Sequence, residues 1–163
     1  MKLRHEKRII ALSVDWKSFG FVIFNGPHQL IDWGTRGSRG GVKVSLQTKL
    51  RQVFDSNRPD ALVLAKPMTP KRTKIVAKLA KLAEARGISP SFVSTADIHK
   101  AFAPMNQSKY QIAAAIANCY PELLPQLPTP RKDWQSEKFG ITIFEAAAAG
   151  FVYYGLKLTQ PEN

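Results

Sequence analysis

With 163 residues and 44% hydrophobic composition, the chain suits one well-buried domain, predicted over 1–158 with a short tail at 159–163, and is too short for two. Its 24 Lys and Arg against 12 Asp and Glu give a formal net charge of +12, which favours nucleic acid as the partner. The alternatives are a basic surface that serves solubility and one that contacts ribosomal or membrane phosphates. The single cysteine, Cys119, predicts a protein without internal disulfides. The sequence has no apolar run of roughly 20 residues and no signal-peptide cleavage site, which predicts a cytoplasmic protein without membrane spans.

The first part of the chain predicts three strands. KRIIALSVD is a nearly continuous apolar run, typical of a strand covered on both faces, and it ends at Asp15. FGFVIFNGPHQLIDWGTRG follows with two more strand-like runs joined at NGP. Together these runs predict an antiparallel meander, with Asp32 exposed in its last strand.

Strands and helices alternate in the rest of the sequence. Apolar residues at helical spacing predict a helix over 42–55, and RPDALVLAKP predicts a fourth, buried strand. The next predicted element is a helix over 70–86, which Gly87 stops. It is followed by a fifth strand in SPSFVST and by two helices, over 96–102 and 108–118. Four prolines predict an irregular connector over 120–140, before an alanine-rich helix over 141–158. This order predicts an α/β domain with a mixed sheet and ligands at the carboxyl ends of its strands.

Two of the acids, Asp15 and Glu145, are embedded in apolar sequence. On a helix, Glu145 shares its face with Ile141, Ala148 and Val152, so its carboxylate is expected to point towards the interior. Burying it unpaired would cost several kcal/mol, so it needs a cation, a hydrogen-bond cage or a raised pKa. The spacing leaves a salt bridge to a lysine and a metal or catalytic role equally open. Asp97 is predicted to be a helix N-cap, and Cys119 a buried helical residue.

The stretch IIALSVDWKSFGFVIF resembles the first strand, acid and second strand of RuvC-type Holliday junction resolvases and their RNase H-like relatives. Asp15 matches the acid that ends the first strand, WKS replaces the usual Pro-Gly turn, and Gly20 matches the glycine that starts the second strand. RPDALVLAKP, SKYQIAAAIANCYPEL and IFEAAAAGFVYYGL continue the resemblance in order over nearly the whole chain. It implies an RNase H-like fold with a mixed five-stranded sheet and flanking helices.

The resemblance also implies a chemistry, which is phosphodiester hydrolysis in branched DNA by two divalent metals, Mg²⁺ or Mn²⁺. Asp15 would then bridge the two ions and Glu145 would hold one of them, so both would be catalytic and metal-binding residues. A homodimer is expected as well, because resolving a junction takes two symmetric cuts.

The sequence departs from the family at the end of the fourth strand. Ala65, followed by Lys66, stands where the family has a metal-binding Glu, and Thr142 stands where a second acid of the final helix can occur. Glu137 is the only nearby acid in the sequence that would compensate. The domain is then a degenerate relative, a one-metal site with a further ligand, or an engineered inactive form. In a degenerate site, Lys66 would pair with the two remaining acids.

Several basic residues favour nucleic-acid contact in each of these cases. Lys71, Lys74, Lys78 and Lys81 share one arc of the helix over 70–86, opposite Val76, Ala80 and Ala83, and could be a phosphate track or a solvated face. Arg36 and Arg39 in RGSRGG, and Arg72 in PKRTK, add phosphate contacts that give affinity without reading sequence. Trp16 and Phe19 are candidates for base stacking or for the core.

Three functions therefore remain open. The first is metal-dependent cleavage of branched DNA by a resolvase-like enzyme. The second is a DNA- or RNA-binding module, or a subunit of a larger assembly, that has the same fold and does not cleave. The third is an RNase H-fold enzyme that acts on RNA.

Overall fold

The computed structural model describes residues 7–15, 17–37, 45–67, 69–103, 108–128 and 140–156. Five strands form one sheet in the order β3-β2-β1-β4-β5. β1 pairs antiparallel with β2 and parallel with β4, and β5 continues parallel to β4. The predicted meander followed by parallel strands is therefore confirmed. The strands are β1 Arg8–Val14, β2 Ser18–Asn25, β3 Leu30–Gly37, β4 Ala61–Ala65 and β5 Pro90–Val93.

Helices cover both faces of the sheet, which explains why β1 is apolar at almost every position. Ile10 and Leu12 pack into the core under α1 and α2, whereas Ile9 and Ala11 pack into the core under α3, α4 and α5. In the described part of the chain, no helix is long and apolar enough to cross a membrane. The helices are α1 Leu46–Asn57, α2 Pro70–Ala85, α3 Thr95–Phe102, α4 Lys109–Cys119 and α5 Ile141–Tyr153.

Two predicted boundaries are wrong. The last helix ends at Tyr153 instead of residue 158, because the chain turns at Tyr154 and Gly155, where glycine adopts a φ of 76°. The connector over 120–140 is not wholly irregular, since Pro121–Gln126 forms a 3₁₀ helix. Residues 129–139 and the tail predicted at 159–163 lie outside the described residues.

Three predictions for single residues are also wrong. Ser94, not Asp97, is the N-cap of α3, and the Asp97 carboxylate accepts a hydrogen bond from the Ser94 backbone N–H in a capping box. Cys119 is exposed at the last residue of α4. Asp32 is half-buried instead of exposed, and it accepts hydrogen bonds from Trp33 N–H and the Asn57 side chain.

Two glycines let α5 approach the sheet closely. A Cβ on Gly20 of β2 would lie 2.6 Å from Thr142 Oγ1 and 2.7 Å from Thr142 Cβ, both far inside van der Waals contact. A Cβ on Gly150 of α5 would overlap the Phe24 ring of β2. This close packing fixes the part of α5 that carries Glu145 against the sheet.

Candidate functional site

A cleft of about 130 Å³ opens at the carboxyl ends of β1, β4 and β5. Its lining includes the ends of these strands and residues from α2, α3, α4 and α5. Ligands of α/β sheets gather at this edge, so the location agrees with the sequence-based expectation. The polar lining residues are Ser13, Lys66, Arg72, Thr95, His99, Lys109 and Glu145.

Asp15 follows directly after β1 and is bound by an arginine from α2. The Arg72 Nη2 atom donates to Asp15 Oδ1 at 3.0 Å, and the two side chains are 34% and 39% exposed. The Asp15 backbone N–H donates to the Ser18 carbonyl at 2.8 Å, which closes the turn into β2. The carboxylate that the resemblance assigns to two metal ions is thus in contact with a guanidinium group.

Glu145 lies half-buried at the cleft, with both carboxylate oxygens in contact with neighbours. Ser13 Oγ of β1 donates to Glu145 Oε2 at 3.1 Å, and Lys109 Nζ of α4 lies 3.7 Å from Glu145 Oε1. Ser13 itself is 4% exposed, so it is a buried hydroxyl that needs such a partner. The sequence reasoning missed Ser13, the one polar residue in IIALSV, and Lys109, which opens its helix after the cap Ser108.

Lys66 does not pair with Asp15 or with Glu145 in the structure. Lys66 is exposed at the cleft, where its backbone N–H donates to the Val93 carbonyl at 2.7 Å. Arg72 contacts Asp15, and Lys109 contacts Glu145. The expected pairing of Lys66 with the two acids is therefore wrong.

The described residues do not fit a two-metal centre. Ala65 ends β4 with a methyl group, and Thr142 is buried against Gly20. Among the described residues, no group of three or more His, Cys, Asp or Glu side chains is arranged to hold a metal ion. Both remaining carboxylates contact cations, which repel a divalent metal. Glu137 lies outside the described residues.

A row of exposed lysines leaves the cleft along α2. Lys71, Lys74, Lys78 and Lys81 are all exposed, while Val76, Ala80 and Ala83 are buried, as their spacing predicts. We call these four residues the lysine row. At a rise of about 1.5 Å per residue it is about 15 Å long, and Arg72 lies next to its first member.

Arg36 extends the basic surface along the same edge of the sheet. Phe19 pairs with Val14 on one side and with Arg36 on the other, so Arg36 is level with the end of β1. Its guanidinium lies 4.9 Å from the centre of the Phe21 ring, which belongs to the core under α1 and α2. Phe19 is fully buried, so the base-stacking interpretation is wrong for it. Arg39 and Trp16 lie outside the described residues.

No family model matches the sequence, and no curated protein does. Solved structures do match. Thermus thermophilus RuvC in complex with a Holliday junction substrate is 11% identical over 90% of this chain and 91% of that chain, with a TM-score of 0.63. A second Thermus thermophilus RuvC structure gives 11% identity, 89% and 92% coverage, and a TM-score of 0.62. The Fowlpox virus resolvase in complex with Holliday junction DNA is 12% identical over 91% of this chain and 97% of that chain, with a TM-score of 0.58.

These likenesses confirm the predicted fold class. The chain has an RNase H-like fold with a mixed five-stranded sheet and flanking helices, as in RuvC. At 11 to 12% identity they show the fold, and the site has to be judged from its own residues.

Proposed function

We propose that this protein binds branched or otherwise structured DNA through the cleft and the lysine row, without metal-dependent cleavage. The structurally similar RuvC and Fowlpox virus resolvase were solved with Holliday junction DNA, which supports this class of ligand. The main support for the proposal is a series of cationic side chains on α2 that begins at the cleft. Its members are Lys71, Arg72, Lys74, Lys78 and Lys81.

Phosphate contacts of this kind give strong, salt-dependent binding. Each neutralised phosphate of duplex DNA releases counterions and contributes a slope of about −0.9 to the dependence of log K on log salt concentration. Five cations in contact would therefore give a slope of about −4.5. Because phosphates carry no sequence information directly, such a surface suits recognition of DNA shape.

The binding assay compares a labelled four-way junction, duplex and single strand at several salt concentrations. We expect the junction to bind most tightly, and the double variant Lys74→Gln/Lys78→Gln to lower the slope by about 1.8. The matched control is Lys7→Gln/Arg58→Gln, which removes two exposed charges that precede β1 and β4, at the opposite edge of the sheet. Binding that is indifferent to salt, or equal slopes for the two double variants, would contradict the proposal.

Metal-dependent cleavage is the competing function, with Asp15 and Glu145 as its catalytic residues and Mg²⁺ or Mn²⁺ as cofactor. Junction cleavage is assayed for this chain, Ala65→Glu and Asp15→Asn with each metal. We expect no cutting by this chain. Cutting that Asp15→Asn abolishes would overturn the proposal, whereas activity in Ala65→Glu alone would show that the missing fourth-strand ligand silences the site.

Two further assays address substrate and assembly. Competition by RNA of the same secondary structure tests the RNA-directed alternatives, and we expect the DNA junction to compete better. Sedimentation with and without the junction measures the oligomeric state of the protein. Because a four-way junction has two-fold symmetry, it favours a homodimer, and we expect two chains per junction.

A further inference from the structure

We propose that the cleft binds one DNA phosphate group directly through Arg72 and Lys109, with Asp15 and Glu145 acting as positioning residues for these cations. The phosphate would occupy the region where the resemblance places divalent metals. This inference rests on the proposed function and names the chemical group that enters the cleft.

Arg72 is arranged as a phosphate ligand. A guanidinium group has five N–H donors, and its contact with Asp15 at 3.0 Å uses Nη2. The contact restricts the orientation of the group, so less side-chain freedom is lost when a phosphate binds to its other donors. The side chain is 34% exposed and lines the cleft, so an entering anion can reach it.

Lys109 reaches the cleft from α4 and is oriented by a second carboxylate. Its Nζ atom lies 3.7 Å from Glu145 Oε1, a distance that attracts the ammonium without a short hydrogen bond. The other oxygen, Glu145 Oε2, accepts from Ser13 at 3.1 Å, which holds the carboxylate against β1. The lysine side chain is 54% exposed, so it remains accessible to a ligand.

The charge of the cleft favours an anion over a metal, and its size admits a phosphate group. Among the residues that line the cleft, Lys66, Arg72 and Lys109 are cationic and Glu145 is anionic. Asp15, which contacts Arg72, adds a second negative charge and leaves one net positive charge, with His99 counted as neutral. A phosphodiester neutralises that charge, whereas a divalent ion would raise it to three. The volume of about 130 Å³ is about four times the roughly 30 Å³ that one water occupies in the liquid, enough for a phosphate group.

Junction affinity of matched double variants in EDTA tests the inference. We expect Arg72→Gln/Lys109→Gln to weaken binding by about 100-fold or more, since two charge-assisted hydrogen bonds are lost. The control Lys7→Gln/Arg58→Gln removes the same charge away from the cleft and should weaken binding by about 3-fold or less. Equal effects of the two double variants would overturn the inference.

The same experiment separates this inference from the proposed function. If Lys74→Gln/Lys78→Gln weakens binding while the cleft variant behaves like the control, the cleft inference is wrong and DNA binding stands. If the unmodified chain shows no salt-dependent DNA binding, the proposed function itself is wrong.

A second measurement uses inorganic phosphate and nuclear magnetic resonance. Phosphate should shift the Arg72 Nε–H resonance with saturation, and the shift should weaken in Lys109→Gln. In Asp15→Ala, which removes the acceptor of the Arg72 hydrogen bond, the heteronuclear NOE of Arg72 Nε–H should fall to that of an exposed arginine such as Arg51. An Arg72 resonance that ignores phosphate, or an NOE unchanged in Asp15→Ala, would overturn the assignment.

Discussion

Replacing Gly20 by alanine should destabilise the domain more than an ordinary glycine substitution in a strand. The added Cβ would lie 2.5 Å from the Thr142 backbone carbonyl carbon and 2.6 Å from Oγ1, whereas carbon atoms in contact are about 3.5 to 4.0 Å apart. The backbone atom belongs to α5 and cannot rotate away, so the helix or β2 must move by about 1 Å. Overpacking of this kind costs about 1 to 3 kcal/mol, and backbone contact places Gly20→Ala near the upper value.

The assay is urea unfolding of Gly20→Ala beside Gly34→Ala. A Cβ on Gly34 meets the flexible end of Arg36 first, at 3.1 Å, so this control should stay within about 1 kcal/mol of the unmodified chain. For Gly20→Ala we expect a lower midpoint with an unchanged slope. Equal stabilities of the two variants would refute the claim that Gly20 sets the position of α5.

Three further predictions concern contacts away from this interface. Tyr120→Phe should cost about 1 to 2 kcal/mol in urea unfolding, since the Tyr120 hydroxyl donates to the Pro27 carbonyl at 2.7 Å; a neutral result would contradict the contact. Hydrogen bonds from Ser94 lower the pKa of Asp97 below its ordinary value of 3.8, so the carboxylate stabilises the fold above pH 3.8 and loses this effect as pH falls through the lowered pKa. Asp97→Asn should therefore be destabilising at pH 7, and the difference should shrink as the pH falls below 3.8, whereas a pH-independent difference would refute this reasoning. A double-mutant cycle on Arg72 and Asp15 should give a coupling of only about 0.2 to 1 kcal/mol, because both side chains are more than one-third exposed; several kcal/mol would contradict a merely positioning contact.

The sheet and the lysine row were predictable because local sequence patterns report which side of an element is buried. The uninterrupted apolar run of β1 predicted a central strand, and the spacing of Lys71 to Lys81 predicted an exposed arc. The end of α5 was missed because YYGL continues the apolar pattern, and the chain turns at Gly155 by adopting a positive φ. Ser94 and Asp97 both suit helix starts, and the capping box uses both.

The ion pairs of the cleft were not predictable from the same patterns. Arg72 is 57 positions from Asp15, and the pair forms because α2 begins beside the end of β1. Lys66 was favoured by its sequence position next to Ala65, but the three-dimensional arrangement brings Arg72 and Lys109 to the acids instead. Ser13 looked like an ordinary strand residue until α5 placed Glu145 against it.

The central claim, that cations and a phosphate replace metal ions in the cleft, is tested most directly by titrating the protein with Mn²⁺ and recording amide resonances. A bound Mn²⁺ ion would broaden the amides of Val14, Lys66 and Phe144, which belong to residues that line the cleft. We predict no selective broadening of these amides in the unmodified chain, and its appearance in Ala65→Glu/Arg72→Ala/Lys109→Ala. Selective broadening of the three amides in the unmodified chain would contradict the claim.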